Sequence, residues 1–364
     1  MQASRRFFLF TAGIAVSRPL MSASPNKAVS IACVGVGGRG SYLLKILLEV
    51  PEVNVVAICD IDPKRLSEAQ DAVVKSGRPG PLGVQDWRQV LDRKDVDAIV
   101  SALPCDLHAA AYLDTIASGK DLYGEKPMCL TRKECDAVVA AAKASKCVVQ
   151  IGFQRRADPR FIEAMRLVHA GEIGKLIEGR IHWSISWGPL CDWRGKRERS
   201  GDWMVEMAVH NWDVMNWANR SLPLKAHGWG RTDLFLGNPP GRNVHDYYSA
   251  MVEYPNGVLV NILHSWMSPE KLNDEHTRLV GTRGGVDFNT GLFSYRRELS
   301  LPDRKEDKGE VNNTQLALQA FIDSVRTRKT PVATVEHGRD AVLTCLLTRK
   351  AVYERRTASL EECV

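Results

Sequence analysis

Three short stretches of this 364-residue chain combine residue types whose spacing can do chemistry. Gly35-Val36-Gly37-Gly38-Arg39-Gly40 fits G-x-G-x-x-G between an apolar run at 29–34 and a Leu- and Ile-rich helical stretch at 41–48. In that setting Gly35, Gly37, Gly38 and Gly40 permit a tight turn, and backbone N–H groups at the helix's positive end, with Arg39 among them, suit a dinucleotide pyrophosphate. Asp60 closes the next strand. A carboxylate there accepts adenosine ribose hydroxyls and repels a 2′-phosphate, so NAD is the expected cofactor and NADP is disfavoured, although Lys64 and Arg65 stand close by.

The second stretch is Tyr123-Gly124-Glu125-Lys126-Pro127. At the end of a parallel strand it places an ammonium at the carboxyl edge of the sheet, where open α/β folds bind ligands. Lys126 can there hydrogen-bond a substrate hydroxyl or help take its proton, with Glu125 on the cofactor side. The third stretch, residues 206–213, puts Glu206 and His210 at i, i+4 on one helical face. The carboxylate can orient the imidazole, which then abstracts a hydroxyl proton as hydride leaves the same carbon. Asn211 and Asp213 follow as substrate contacts. A structural helix with a satisfied histidine is the plain alternative. One such pair without further ligands makes no metal set, and no metal is expected.

The elements that must position these residues alternate. Short buried strands at 29–34, 53–59, 96–103, 121–124 and 147–152 are separated by helices, one opening on the capping box Thr131-Arg132-Lys133-Glu134. This order implies an α/β fold with a doubly wound parallel sheet, a Rossmann domain over 25–152. From 153 to 364 the pattern changes to an α+β domain with a mainly antiparallel sheet. Its strands are read at 176–187, 226–231, 247–254 and 258–266, with a hairpin at Tyr254-Pro255-Asn256-Gly257, a charged loop at 299–310 and late helices at 316–328 and 339–354. Eight of nine tryptophans fall between Trp183 and Trp266, so one or two can line a carbohydrate pocket while the rest belong to core or interface.

Taken together, the glycine loop, the Glu-Lys-Pro step and the E-x-x-x-H helix resemble the Gfo/Idh/MocA oxidoreductase family over residues 29–354. The resemblance extends to Pro104 and His108, which match the family's Pro-x-x-x-His turn beside the nicotinamide. It implies an open C-terminal sheet over 153–364 that binds substrate and mediates homo-oligomers, and hydride transfer between sugars, sugar acids or cyclitols and NAD(P), with Lys126 as catalytic lysine and His210 as the group that takes or gives the hydroxyl proton. Glu206 stands where the family usually has aspartate, and the paired glycines that usually precede this helix are reduced to Gly201. Some exported relatives are NAD-dependent glycosidases that oxidise a sugar transiently; that group lacks the lysine step present here. An inactive NAD- or sugar-binding sensor is the reading from a different class, and the presence of Lys126 and His210 speaks against it.

Bulk properties narrow the partners. The net charge of +6 includes Arg5, Arg6 and Arg18, with no acidic residue before Glu49, and no basic patch interleaved with aromatics suggests nucleic acid. Nine scattered cysteines show neither metal spacing nor a disulfide framework. Ser4-Arg5-Arg6-Phe7-Phe8-Leu9 resembles a twin-arginine export signal over 1–24, leading into an apolar stretch too short to span a bilayer. A periplasmic or otherwise exported protein is expected, with a cytoplasmic one as the alternative. Outside the cytoplasm no NAD pool recharges a spent cofactor, which favours tightly held NAD reduced and reoxidised within one turnover.

Overall fold

The computed structural model describes residues 28–305, 309 and 311–363, so the twin-arginine segment lies outside the described residues. Strands β1 (Val29–Val34), β2 (Val53–Cys59), β3 (Leu82–Val84), β4 (Ala98–Ser101), β5 (Asp121–Gly124) and β6 (Val149–Ile151) form one parallel sheet in the order β3-β2-β1-β4-β5-β6. Helices α1 (Gly38–Glu49), α2 (Pro63–Lys75), α3 (Arg88–Leu91), α4 (His108–Ala117) and α5 (Arg132–Ala144) connect them. The order reverses between β1 and β4, opening a crevice at the strands' carboxyl ends, as in dinucleotide-binding folds. Local chemistry sets the helix starts. Asp62 caps α2 by accepting from Lys64 N at 2.9 Å, with Pro63 at the first position, and Thr131 and Glu134 complete the capping box of α5.

After α6 (Pro159–His169), itself capped by Asp158, a nine-stranded sheet follows. Its strands are β7 (Leu176–Ser184), β8 (Lys225–Arg231), β9 (Tyr247–Glu253), β10 (Leu259–Ser265), β11 (Asp274–Gly281), β12 (Gly284–Asp287), β13 (Leu292–Tyr295), β14 (Arg304–Lys305) and β15 (Ala358–Ser359). They lie in the order β14-β13-β12-β11-β7-β10-β9-β8-β15, antiparallel except for the β7–β10 pair. Helices α7 (Arg197–Ser200), α8 (Trp203–Glu206), α9 (Val209–Asn219), α10 (Asn313–Thr327) and α11 (Val335–Glu354) complete the chain. One face of this sheet packs on α9: a Cβ at Gly179 would meet Met215 Sδ at 3.0 Å. The opposite face stays open, leaving Trp229 57% and Met251 47% exposed.

The four anticipated strands and the hairpin are present, with Gly257 at φ +82° in the turn. Strands β11 to β13 were not anticipated, and the expected charged loop contains β14, which pairs with β13. The segment 153–364 does not all pack with the second sheet. Ala317, Leu318, Phe321, Ile322 and Val325 of α10 share one buried cluster with β1, β2 and α1, so α10 is part of the Rossmann core despite lying late in the chain. Phe321 meets Tyr123 of β5 edge-on at 5.8 Å, and Gln150 Nε2 donates to Ala317 O at 2.8 Å. All nine cysteines are free and seven are buried, as small apolar fillers.

Phe321→Ala is therefore expected to cost about 3–5 kcal/mol in urea unfolding, the penalty of a large core cavity, although residue 321 lies in the C-terminal part of the sequence. Val332→Ala, at an exposed position, is the control and is expected to change stability by less than about 0.5 kcal/mol.

Candidate active site

The glycine turn is shaped by two close approaches. Gly35 has φ +79°, and a Cβ there would lie 2.7 Å from Ala102 O at the end of β4; a Cβ at Gly40 would lie 1.8 Å from Gly35 O. A Cβ at Gly38 would meet nothing within 4 Å, and no side chain caps the N-terminus of α1. The crevice is thus bordered by uncapped N–H groups at a helix's positive end, which suits a pyrophosphate. A cleft of about 700 Å³ adjoins the turn, lined by Gly37, Gly38, Ser41, Arg65 and Glu68.

Asp60 is buried at the end of β2. Its carboxylate accepts from Val36 N and from Asp62 N, both at 2.9 Å, tying the glycine turn to the start of α2. A carboxylate offers about four lone-pair sites, which leaves acceptors for ribose hydroxyls. Arg39 leaves the glycine loop to reach across the crevice: Nε donates to Glu125 Oε1 at 2.7 Å and Nη1 to Thr314 Oγ1 of α10 at 3.3 Å. Glu125, nearly fully buried, also accepts from Lys126 N at 3.2 Å. Arg39 and Glu125 therefore hold each other as well as the wall of the crevice.

Pro104 starts the turn after β4. His108 is placed differently from expectation. Its ring nitrogens lie 2.6 Å from Pro127 O and 2.8 Å from Leu103 O, it stacks on Tyr112, and it is buried. Both polar atoms are taken by backbone, so His108 fastens the cis Lys126-Pro127 step to the β4 turn rather than meeting the cofactor itself. Burial pushes its pKa down, against the two carbonyl oxygens that favour the cation.

Lys126 crosses from the end of β5 to the second domain. Its Nζ donates to Glu206 O at 2.7 Å and to Glu206 Oε1 at 2.8 Å, with the two side chains only 12% and 10% exposed. Here a second expectation is corrected. Glu206 does not orient His210 along one helix, because α8 ends at Glu206 and α9 begins at Val209. The carboxylate turns to Lys126 instead. His210 packs edge-on against Phe153 at 6.0 Å, and its Nδ1 is buried with no partner among the described residues. Burial first, then the positive charges of Lys126, Arg155 and Arg39, hold its pKa well below the usual histidine range.

The turn before Glu206 resolves the missing glycine. Asp202 adopts φ +73°, a conformation natural to glycine, and is fully buried. Its carboxylate caps α8 through Met204 N at 3.3 Å and accepts from Tyr353 Oη, while Arg349 Nη1 donates to Gly201 O at 2.8 Å. Burial lifts the Asp202 carboxyl to about 6. Contacts from α11 thus hold an aspartate where an L-residue is strained.

Asn211 and Asp213, expected as substrate contacts, are both engaged inside the second domain, although Asn211 Oδ1 has no partner among the described residues. Asn211 is fully buried and donates to Thr277 Oγ1 of β11 at 3.0 Å; Asp213 accepts from Arg156 Nε at 2.9 Å on both oxygens. Sequence reasoning missed Arg155. It follows β6 and is mostly buried, pairing with Glu275 at 3.4 Å, and its charge is felt at His210. Its Nη1 is buried without a partner among the described residues. Gln154-Arg155-Arg156 offered a weak signal, since two adjacent arginines leaving a sheet edge must point apart. Trp203, Tyr248, His264 and Trp266 form a buried aromatic cluster beneath α8, with ring centroids 4.1–5.8 Å apart.

Residues 29–153 match the sequence model described as "oxidoreductase family, NAD-binding Rossmann fold", and residues 161–287 match that of the GFO/IDH/MocA C-terminal domain. The chain is 27% identical over 319 residues to scyllo-inositol 2-dehydrogenase (NAD(+)) of Bacillus subtilis, covering 84% of this chain and 89% of that protein. Its fold is shared with levoglucosan dehydrogenase in complex with NADH and levoglucosan, at TM-score 0.79, 18% identity, and 92% and 100% coverage. It is also shared with aldose-aldose oxidoreductase from Caulobacter crescentus complexed with glycerol, at TM-score 0.77, 20% identity, and 92% and 100% coverage.

Because both charges of the Lys126–Glu206 pair are nearly buried, Lys126→Met is expected to lower stability by about 3–5 kcal/mol by leaving a carboxylate without its cation. The double variant Lys126→Met/Glu206→Met is expected to recover most of that loss. Urea unfolding of the three proteins checks this, and a double variant no more stable than the single one contradicts it.

Proposed function

We propose that this chain, which belongs to the Gfo/Idh/MocA oxidoreductase family, moves a hydride between a carbinol carbon of a cyclitol or sugar and NAD. The cofactor is NAD, which the Rossmann domain's glycine turn and Asp60 fit. Bound there, it supplies the hydride acceptor, and the donor when the reaction reverses. The observation that carries the proposal is the convergence of unspent polar capacity around the buried His210. An ammonium has three donors, and Lys126 uses two on Glu206, leaving one for a substrate oxygen. His210 contributes a neutral imidazole that can take the hydroxyl proton, and Arg155 contributes a free guanidinium N–H for a neighbouring hydroxyl.

Each cation is matched by its own carboxylate: Lys126 by Glu206, Arg39 by Glu125 and Arg155 by Glu275. Their positive charge is nonetheless felt at His210, and the same charge would stabilise the neighbouring oxygen that becomes negative as its proton leaves, lowering the barrier to oxidation. Cyclitols and pyranoses, with hydroxyls on adjacent carbons, satisfy Lys126 and Arg155 together. The inositol dehydrogenase relative supports this substrate class. The twin-arginine pattern supports export with NAD already bound, and export in turn favours a tightly held cofactor that is reduced and reoxidised in one site. The exposed Trp229 and Met251 on the open sheet support self-association through that face, which light scattering measures.

With a panel of inositols and aldoses, His210→Ala is expected to lower the rate of nicotinamide reduction by about 10²–10⁴-fold while leaving NAD affinity within about twofold. Undiminished reduction in this variant contradicts the role of His210. The sign of its pKa shift also sets a pH profile. A base whose pKa lies well below 6.5 stays unprotonated as pH falls through 6.5, so the acid limb of kcat/KM is expected below that value. An acid limb at or above 6.5 contradicts it.

A further inference from the structure

Behind the candidate site, on the open face of the second sheet, β7 and β11 bring two histidines directly opposite one another: His182 pairs with His276 in the antiparallel register. Their rings lie 5.3 Å apart, centroid to centroid. Asp274, two residues before His276 on the same strand and therefore on the same face, reaches between them. One carboxylate oxygen is 3.2 Å from His276 Nδ1, and the other is 3.8 Å from His182 Nδ1. Among the described residues this is the group spaced to hold a metal, with one donor atom from each side chain and all three within 4.8 Å of one another.

The separations discriminate between two explanations. A hydrogen bond accounts for the 3.2 Å contact but not for the 3.8 Å one, which is too long. In a tetrahedron with metal–ligand bonds of about 2.0–2.1 Å, neighbouring ligand atoms lie about 3.3–3.4 Å apart; the two contacts fall on different oxygens of Asp274, and with all three donors already within 4.8 Å, small side-chain rotations bring one oxygen and both imidazoles to that edge. Imidazole and carboxylate are also the mixed donor set that zinc-class divalent ions prefer to calcium and magnesium, which favour oxygen alone. The site is accessible: His182, His276 and Asp274 are 31%, 15% and 53% exposed in their side chains. The next cross-strand pair, Arg180 opposite Arg278, places two guanidiniums on this face, but each is held by its own carboxylate, Glu178 and Asp287.

The geometry points to a binding site for a zinc-class divalent cation at His182, Asp274 and His276, with water or another ligand in the remaining position. It is separate from Lys126, Glu206 and His210 and stands whether or not the proposed oxidoreductase chemistry holds. The site lies one residue from Trp183 on β7 and one from Glu275 on β11, whose side chain pairs with Arg155. A bound ion would pin the two strands together at the end that supports that arginine.

The test uses the full untagged chain, stripped with chelator and titrated with Zn²⁺ by calorimetry, with metal content read after desalting. Wild type is expected to hold one zinc per chain, and His182→Ala/His276→Ala to bind at least tenfold more weakly. Asp274→Asn, at a half-exposed position that leaves the core untouched, is expected to weaken binding several-fold while keeping the wild-type circular dichroism. Co²⁺ in place of Zn²⁺ is expected to give visible bands of a four-coordinate site that the double variant lacks. No stoichiometric zinc in wild type, equal binding by the variants, or equal affinity for Mg²⁺ would overturn the assignment.

Discussion

The contact on which the rest of this molecule depends is the buried ion pair between Lys126 and Glu206. Neither charge is tolerable alone at that depth, so each domain is completed by the other. The lysine stands at the end of β5 on a step fastened by His108, and the glutamate ends a short helix that packs on the aromatic cluster of the second sheet. Small displacements of either domain would separate ions that water cannot readily rescue. The pair thereby fixes the relative position of the glycine turn and His210, which hydride transfer must bring within reach of one carbon.

Glutamate in place of aspartate changes how charge is distributed around the histidine. The longer side chain reaches the ammonium while its own backbone carbonyl binds the same nitrogen. Among the described residues no carboxylate then raises the pKa of His210, and three nearby cations oppose an imidazolium. Such an imidazole is a weak base in the resting site. In the proposed reaction it would accept the hydroxyl proton as negative charge develops on the substrate oxygen, which Lys126 and Arg155 would stabilise at the same moment.

Much of this was legible in the chain. Continuous apolar strands, the capping box and the glycine turn each have a local physical cause, so they appear in the sequence as they do in the structure. Less legible was whatever depended on distant partners. Strand β11, DEHTRLVG, alternates only weakly, because its outward face carries Asp274, His276 and Arg278 and its inward face includes Glu275 and Thr277. The apolar stripe of α10 announced a buried face but not which sheet would bury it. Adjacent Arg155 and Arg156 look equivalent until the fold sends one to Glu275 near His210 and the other to Asp213. Likewise, the i, i+4 spacing of Glu206 and His210 assumed one helix where a break at Met207–Ala208 separates two.

That break follows from the turn that precedes it. Asp202 sits at φ +73° because the chain must reverse sharply to bring Glu206 under Lys126, and an aspartate can hold this conformation only with help. The help comes from α11, whose Tyr353 donates to the Asp202 carboxylate and whose Arg349 holds Gly201 O. The same helix packs closely on the first domain, where a Cβ at Gly338 would come within 3.0 Å of Met128 and Ile151. One helix therefore braces both the strained turn that presents Glu206 and the strand layer that presents Lys126. The strained turn and the placement of the Lys126–Glu206 pair thus rest on one packing arrangement, while the neutrality of His210 follows from its own burial and the cations around it.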